Sequence, residues 1–199
     1  MVSEPMLGEI RLQWWREALD QVYSEGPVRH HEVTTPLAEA IRTAALPRAP
    51  FDALIDQRAN DLEPIFPQND ASLHQYIEAT AGGLTALAAK ALAADLEDDG
   101  MKIAQDAGFA IGAARYLMAL PELVNTGRKP LPMEMVDALA EEGRQRLAKA
   151  RAARSTIPKA ATPALLELTT AEHNLSSPTA RSAFRERVSI LWRGVRGRW

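Results

Sequence analysis

The sequence contains no cysteine among its 199 residues. It can therefore form neither a disulfide framework nor a thiolate metal site. It also lacks a run of about 18 uninterrupted apolar residues, so we expect no helix to span a membrane. The first residues lack the basic-then-apolar order of a secretory signal. These absences favour a cytoplasmic domain.

Aromatic residues are scarce, at 6% of the chain, whereas alanine and leucine are abundant. Both of these residues lose little side-chain freedom in a helix, so the composition favours helical structure. Hydrophobic residues make up 46% and charged residues 25%, which is typical of a globular protein. A chain of this length usually folds as one unit. We expect a single domain over residues 1–199.

Charge is distributed unevenly along the chain, although the formal net charge is only −3. Residues 1–142 carry 11 basic and 23 acidic side chains, whereas residues 143–199 carry 12 basic and 3 acidic ones. A basic face could meet an anionic partner such as lipid headgroups. Alternatively, the two parts of the chain pair with each other in the fold.

Apolar residues recur at helical spacing between prolines and glycines that end each segment. The pattern predicts helices near residues 7–22, 36–45, 51–62, 72–96, 101–121, 133–153, 163–174 and 179–195. Asn69 or Asp70 is expected to cap the fourth helix, and Pro121 to kink or end the fifth. No useful stretch alternates as a strand would. The predicted class is all-α.

Four glycines fall inside predicted helices: Gly82, Gly83, Gly108 and Gly112. Each glycine costs helix stability, on the order of 1 kcal/mol. Such a cost is offset where two helices approach closely, or where a ligand lies against bare backbone. Both interpretations remain open for these positions.

Catalytic motifs are scarce. The four histidines have no metal-ligand spacing, and no nucleophile elbow, P-loop or dinucleotide fingerprint is present. Asp52 and Asp56 are four residues apart, so both carboxylates lie on one helix face, where such a pair can hold Mg²⁺. Because pairs of this kind are common on solvated surfaces, we predict no metal site from the residues alone.

The C-terminal stretch is basic and contains tryptophan. Trp192, Arg193, Arg196 and Arg198 match a helix that contacts an anionic membrane surface, since indole prefers the interface. A plain amphipathic end helix would show the same pattern. No nucleic-acid-binding module is recognisable, so a nucleic-acid partner is not expected.

Four stretches, in their order and spacing, resemble the squalene/phytoene synthase family: residues 9–16, 54–62, 76–83 and 108–132. The likeness covers nearly the whole chain. It is strongest to the branch that contains a mitochondrial assembly factor for respiratory complex I. The resemblance implies an all-α isoprenoid (terpenoid) synthase-like bundle with a cavity between its helices. The bundle is expected to lack its N-terminal helix, because that helix would precede Met1.

Family enzymes join two prenyl diphosphates head to head, and two aspartate-rich helices bind the Mg²⁺ that neutralises the leaving diphosphate. In this sequence the second aspartate motif would fall on the helix that includes Gly108. Ala119, Glu122 and Leu123 stand at its ligand positions, and Arg115 replaces an asparagine. A cation at Arg115 would repel Mg²⁺. The first aspartate motif would lie upstream of the chain's first residue.

The resemblance also implies candidate cavity residues. They are Asp56, Arg58, Asp61, Tyr76, Gly82, Gly83, Arg115 and Glu122. Asp56, Arg58 and Asp61 match family positions. They would either line the cavity or form an ion-pair network that holds helices in register.

Two functions follow as hypotheses. The first is a non-catalytic family member without a cofactor, peripheral to an inner membrane, which assists assembly of a respiratory complex or binds an isoprenoid lipid or diphosphate. Its partner would be a subunit of that complex or an anionic membrane surface. The alternative is a Mg²⁺-dependent transferase of prenyl groups.

Overall fold

The computed structural model describes residues 5–24 and 29–176, and these ranges contain helices and no strand. The α-helices are α1 (Pro5–Tyr23), α2 (Thr34–Ala44), α3 (Ala49–Arg58), α4 (Asp70–Ile77), α5 (Leu84–Leu92), α6 (Asp98–Asn125), α7 (Met133–Ala152) and α8 (Leu168–Ser176). Short 3₁₀ segments cover Ala59–Asp61, Arg154–Thr156 and Lys159–Leu165. The all-α prediction is confirmed. The helix expected at 179–195 lies outside the described residues.

Helix α6 forms the centre of the molecule. Phe109 and the alanines at 104, 107, 110 and 113 have no exposed surface. Small side chains on this helix let α5, α7 and α8 approach its backbone closely, which compensates for the scarcity of large aromatic residues. The buried alanine-rich face therefore explains how a chain with so few aromatics makes a dense core.

The same helix bears on our expectation that no helix spans a membrane. With 28 residues, α6 is long and apolar enough to cross a membrane by length and composition. Half of its most apolar window is buried inside the bundle, however, as in the core helix of a folded domain. Apolarity in this segment therefore serves packing against its neighbours.

Pro121 does not end α6, which was one of the two outcomes that the sequence predicted, because the helix continues to Asn125. A proline removes the hydrogen bond that its N–H would donate to the carbonyl four residues earlier, here that of Leu117. The rest of the last turn keeps its pattern, since the N–H of Thr126 donates to the carbonyl of Glu122 at 2.9 Å. One lost bond near a helix terminus is therefore tolerated.

The helix predicted over residues 72–96 is interrupted. Asn69 caps α4, as expected, because its side chain accepts a 2.9 Å hydrogen bond from the Ser72 N–H. A π-helical segment, Glu78–Gly83, then separates α4 from α5. Helix α5 ends early, at Leu92, where the Lys90 ammonium binds backbone carbonyls beyond the helix end. Side-chain capping therefore replaces the last predicted turn.

Glycines of α6 allow the close approach that the sequence suggested. A Cβ atom at Gly108 would lie 2.6 Å from the carbonyl oxygen of Ala81 and from the side chain of Thr85. At Gly112 it would lie 2.4 Å from the Cβ atom of Ala81. The π-helical segment therefore rests directly on the α6 backbone.

The basic C-terminal part of the described chain pairs with acidic side chains. Arg144 binds Glu141, and Arg151 binds Glu172. Lys149 reaches α6, where its ammonium lies 2.7 Å from Asp106. For residues 143–176, these contacts favour internal pairing over a free basic face.

Candidate functional site

Three of the candidate residues meet at the junction of α3 and α4. The Arg58 guanidinium donates to the Asp61 carboxylate at 3.0 Å and to the Tyr76 hydroxyl at 3.1 Å. The Tyr76 hydroxyl donates to the other oxygen of Asp61 at 2.8 Å. We call Arg58, Asp61 and Tyr76 the tyrosine cluster. Its hydrogen bonds connect α3, the 3₁₀ turn that follows and α4, which is the arrangement of a network that holds helices in register.

A second arginine binds the backbone beside the tyrosine cluster. Arg128, in the loop between α6 and α7, donates to the backbone carbonyls of Asp61 at 3.1 Å and Glu63 at 2.6 Å. The Tyr76 ring lies 5.1 Å from Phe66 and 6.5 Å from Tyr116, measured between ring centroids. Sequence reasoning missed Arg128, because nothing in a loop sequence shows which distant carbonyls a side chain will meet.

Burial raises the pKa of all three tyrosines, Tyr23, Tyr76 and Tyr116, above the ordinary value of 10.0. Native tyrosines should therefore keep their protons above pH 10, whereas the unfolded chain loses them. Because the folded state then holds more protons, its stability should fall as pH rises beyond 10.

Alkaline titration followed by tyrosinate absorbance tests this expectation. The native protein should ionise at higher pH than the protein in denaturant, and the separation should shrink in Tyr76→Phe. Coincident titration curves for the native and denatured chains would contradict the burial of these phenols.

Asp56 and Gly83 belong to a different place. They line a cleft of about 530 Å³ between α3, α4, the π-helical segment and α6, together with residues that include Gln75, Glu78 and Gln105. We call it the α3–α6 cleft. Gly82 is buried against Gln105. The structure therefore places six of the eight candidate cavity residues in or beside the tyrosine cluster and this cleft, and leaves Arg115 and Glu122 elsewhere.

A partly buried ionic network adjoins the cleft and shares Glu78 with it. The Arg146 guanidinium contacts Asp106 at 2.6 Å, Glu142 at 2.8 Å and Glu78 at 3.3 Å. The Asp106 side chain is only 3% exposed, and its second oxygen lies 2.7 Å from the Lys149 ammonium. Sequence analysis did not single out these residues. The available signal was Asp106 itself, a charged residue within the most apolar predicted helix.

The positions at which the family resemblance implies the second aspartate motif lie apart from both groups. Arg115 is exposed and forms a bidentate ion pair with Glu167, just before α8. Glu122 is exposed on the last turns of α6, and Ala119 and Leu123 are partly buried nearby. The structure does not bring Arg115 or Glu122 into contact with the tyrosine cluster.

The described residues do not supply the ligand set that Mg²⁺ requires. That ion takes carboxylate oxygens and waters in octahedral geometry. No group of three or more histidine, aspartate or glutamate side chains within residues 5–24 and 29–176 could hold a metal. The candidate carboxylates already form ion pairs, since Asp56 binds Arg16 at 2.9 Å and Asp61 binds Arg58. Arginines of the same chain therefore neutralise the carboxylate charge that would otherwise attract a divalent cation.

Comparison with known proteins gives a consistent result. The squalene/phytoene synthase family profile matches residues 1–185. A bovine protein named NADH dehydrogenase (ubiquinone) complex I, assembly factor 6, is 30% identical over 194 residues, which are 95% of this chain and 57% of the relative. The mouse protein of the same name is 30% identical over 135 residues, which are 67% of this chain and 40% of the relative. The human protein is 28% identical over 194 residues.

The chain thus spans little more than half the length of the bovine and human relatives. The family match, in contrast, covers most of this chain, including both the tyrosine cluster and the α3–α6 cleft. The all-helical bundle agrees with the isoprenoid synthase-like fold of that family. This chain belongs to the squalene/phytoene synthase family.

Proposed function

We propose that this chain is a non-catalytic member of its family that assists assembly of a respiratory complex at a membrane surface. The observation that carries the proposal is the likeness to complex I assembly factor 6 across 95% of the chain. A respiratory-complex subunit is then the expected partner.

The state of the carboxylates supports the absence of catalysis. A transferase of prenyl groups needs Mg²⁺ to stabilise the charge of the departing diphosphate. At the positions where the family resemblance implies the second aspartate motif, this chain carries Ala119, Glu122 and Leu123. Asp56 and Asp61 are each held by an arginine. The prenyltransferase alternative would require these ion pairs to open before a metal could bind.

An enzymatic assay tests the proposal. Purified protein is incubated with Mg²⁺ and either farnesyl or geranylgeranyl diphosphate, and both diphosphate release and hydrocarbon products are measured. We expect no release of diphosphate above the protein-free rate. This chemistry depends mainly on a metal that stabilises the charge of the diphosphate, and we propose that this chain does not hold one. Release of diphosphate together with a longer hydrocarbon would refute the non-catalytic assignment. Longer homologous chains carrying both aspartate motifs serve as the positive control.

A peripheral membrane position is supported by exposed apolar side chains. Met6, Leu7 and Ile10 are exposed on the first turns of α1, and Met133 is 65% exposed at the start of α7. Exposed apolar side chains that are neighbours on one helix, as on α1, are typical of a surface that contacts another protein or a membrane. The proposed basic contact, Trp192 with Arg193, Arg196 and Arg198, lies outside the described residues.

Liposome flotation tests the basic contact. Replacing Arg193, Arg196 and Arg198 together with glutamine should weaken binding to anionic vesicles. Each basic residue near such a surface contributes about 1 kcal/mol, so the loss should reach roughly a hundredfold. As a matched control, the same change at Arg42, Arg144 and Arg151, which belong to the folded bundle, should leave flotation unchanged. Equal flotation of the tail variant and the original protein would count against this anchoring role.

A further inference from the structure

The α3–α6 cleft has the size and lining of a small-molecule site. Its volume of about 530 Å³ falls within the range of roughly 300–1,000 Å³ that such sites occupy. Ala53, Ala79, Gly83, Ala86 and Met101 give it an apolar wall. Because these side chains are small or flexible, an elongated apolar chain can lie close to the helix backbones.

Three of the six polar side chains that line the cleft are carboxamides, and the others are Asp56, His74 and Glu78. Gln57, Gln75 and Gln105 line it, and each carboxamide can both donate and accept hydrogen bonds. Gln105 is fixed in place, since its nitrogen donates to Glu78 at 2.7 Å. Such groups match a hydroxyl, a carbonyl or an amide better than they match a fully charged group.

The charged groups of the cleft disfavour a phosphate. Asp56 and Glu78 line it, and the described lining residues include no lysine or arginine. A diphosphate would meet two carboxylates and no facing cation, unless a metal bridged the like charges. Bridging is opposed by the existing pairs, because Asp56 is bound to Arg16, and Glu78 to Gln105 and Arg146.

We propose that the α3–α6 cleft binds an uncharged amphiphile, consisting of an apolar chain with a hydroxyl, carbonyl or amide head group, without a divalent cation. This inference rests on the proposed non-catalytic function, since a diphosphate substrate would need the metal that the cleft disfavours. The apolar wall takes the chain, and the glutamine carboxamides take the head group.

Calorimetric titration tests the inference with two probes that differ only at the head group, farnesol and farnesyl diphosphate. Each is added to the full chain in Mg²⁺ and in EDTA. Farnesol should bind saturably with equal affinity in both buffers, and the diphosphate should bind at least about tenfold more weakly.

Three variants test whether farnesol binds in the cleft. Ala53→Trp places a large ring at the cleft wall and should weaken farnesol binding by about tenfold or more. Ala88→Trp on α5 is the matched control, because Ala88 is equally exposed but does not line the cleft. Affinity within about twofold of the original is expected for it. A melting curve for each of the two tryptophan variants shows whether it folds. Gln105→Leu should weaken farnesol while leaving a saturated hydrocarbon such as farnesane unaffected.

Several results would overturn the inference. The first is the absence of farnesol binding, and the second is an equal loss of farnesol affinity in both tryptophan variants. The third is binding of farnesyl diphosphate that is tighter than that of farnesol and that EDTA abolishes. In the last case a lack of turnover would leave the proposed non-catalytic function intact. Release of diphosphate would refute both.

Discussion

Replacing Arg146 with methionine should lower the free energy of unfolding by about 3–5 kcal/mol, the usual cost of removing one partner from a buried ionic group. Arg146 contacts Asp106, Glu142 and Glu78, and its side chain is only 22% exposed. Its guanidinium also lies 4.9 Å from the centroid of the Phe109 ring. Methionine keeps much of the volume but leaves the buried Asp106 carboxylate with Lys149 alone. Urea denaturation followed by circular dichroism measures the change.

Arg144→Met is the matched control, two residues away on the same helix. Arg144 is 43% exposed and its carboxylate partner is Glu141, one turn earlier. Such a surface pair contributes about 0–1 kcal/mol. In the double variant Arg146→Met with Asp106→Asn, part of the loss should be recovered, because the buried charge that had lost one of its two cationic partners is gone. Equal effects of the two arginine substitutions would refute the network's role.

The cost of Arg146→Met should also depend on pH. Hydrogen bonding to Arg146 is the main cause that holds the pKa of Glu142 below its ordinary value. A carboxyl with a lowered pKa stabilises the fold when ionised, and this contribution disappears as pH falls through the lowered pKa. The stability difference between the original chain and the variant should therefore narrow in acid.

Gly108→Ala should be destabilising by about 2 kcal/mol, although alanine is normally the better helix former. The added Cβ atom would lie 2.6 Å from both the Ala81 carbonyl oxygen and the Thr85 side chain. Since the carbonyl belongs to the backbone of the π-helical segment, a small side-chain movement cannot relieve the overlap. Forcing the two segments apart costs on the order of 1–3 kcal/mol in a packed core.

Gly83→Ala provides the control within the neighbouring segment. A Cβ atom there would meet Pro50 at 3.7 Å, an ordinary van der Waals distance. Because alanine restricts the unfolded chain, Gly83→Ala should be neutral or stabilising by up to about 1 kcal/mol. Thermal melting of both variants gives the comparison. Similar destabilisation by the two substitutions would mean that helix conformation, and not the close approach to Ala81, decides the cost at Gly108.

Local patterns predicted most of the helices correctly, and the interruption of the helix predicted over residues 72–96 has a non-local cause. Asn69 caps α4 because its side chain needs only the N–H of Ser72, three residues away. In contrast, the π-helical segment formed within a continuous helical pattern, where Gly82 lets the chain lie close to Gln105 of α6. Contacts with a distant helix decided that local conformation, so hydrophobic periodicity did not reveal it.

The candidate site shows the same division. The sequence identified Arg58, Asp61 and Tyr76, which are close enough in the chain to share a helix junction. Arg128 and Arg146 required the fold, because Asp61 lies 67 residues from Arg128 and Asp106 lies 40 residues from Arg146. Asp56 was grouped with Asp61, yet the two side chains point to different places, toward the cleft and toward the tyrosine cluster.

By itself, the sequence determined the helical class and the family, because these depend on residue type and spacing along one chain. Only the tertiary structure decided that Arg16 pairs with Asp56, that Arg58 pairs with Asp61, and that a cleft opens beside Asp56. Charge pairing and cavity shape depend on which helix faces meet, and that choice is made by the packing of the whole core around α6.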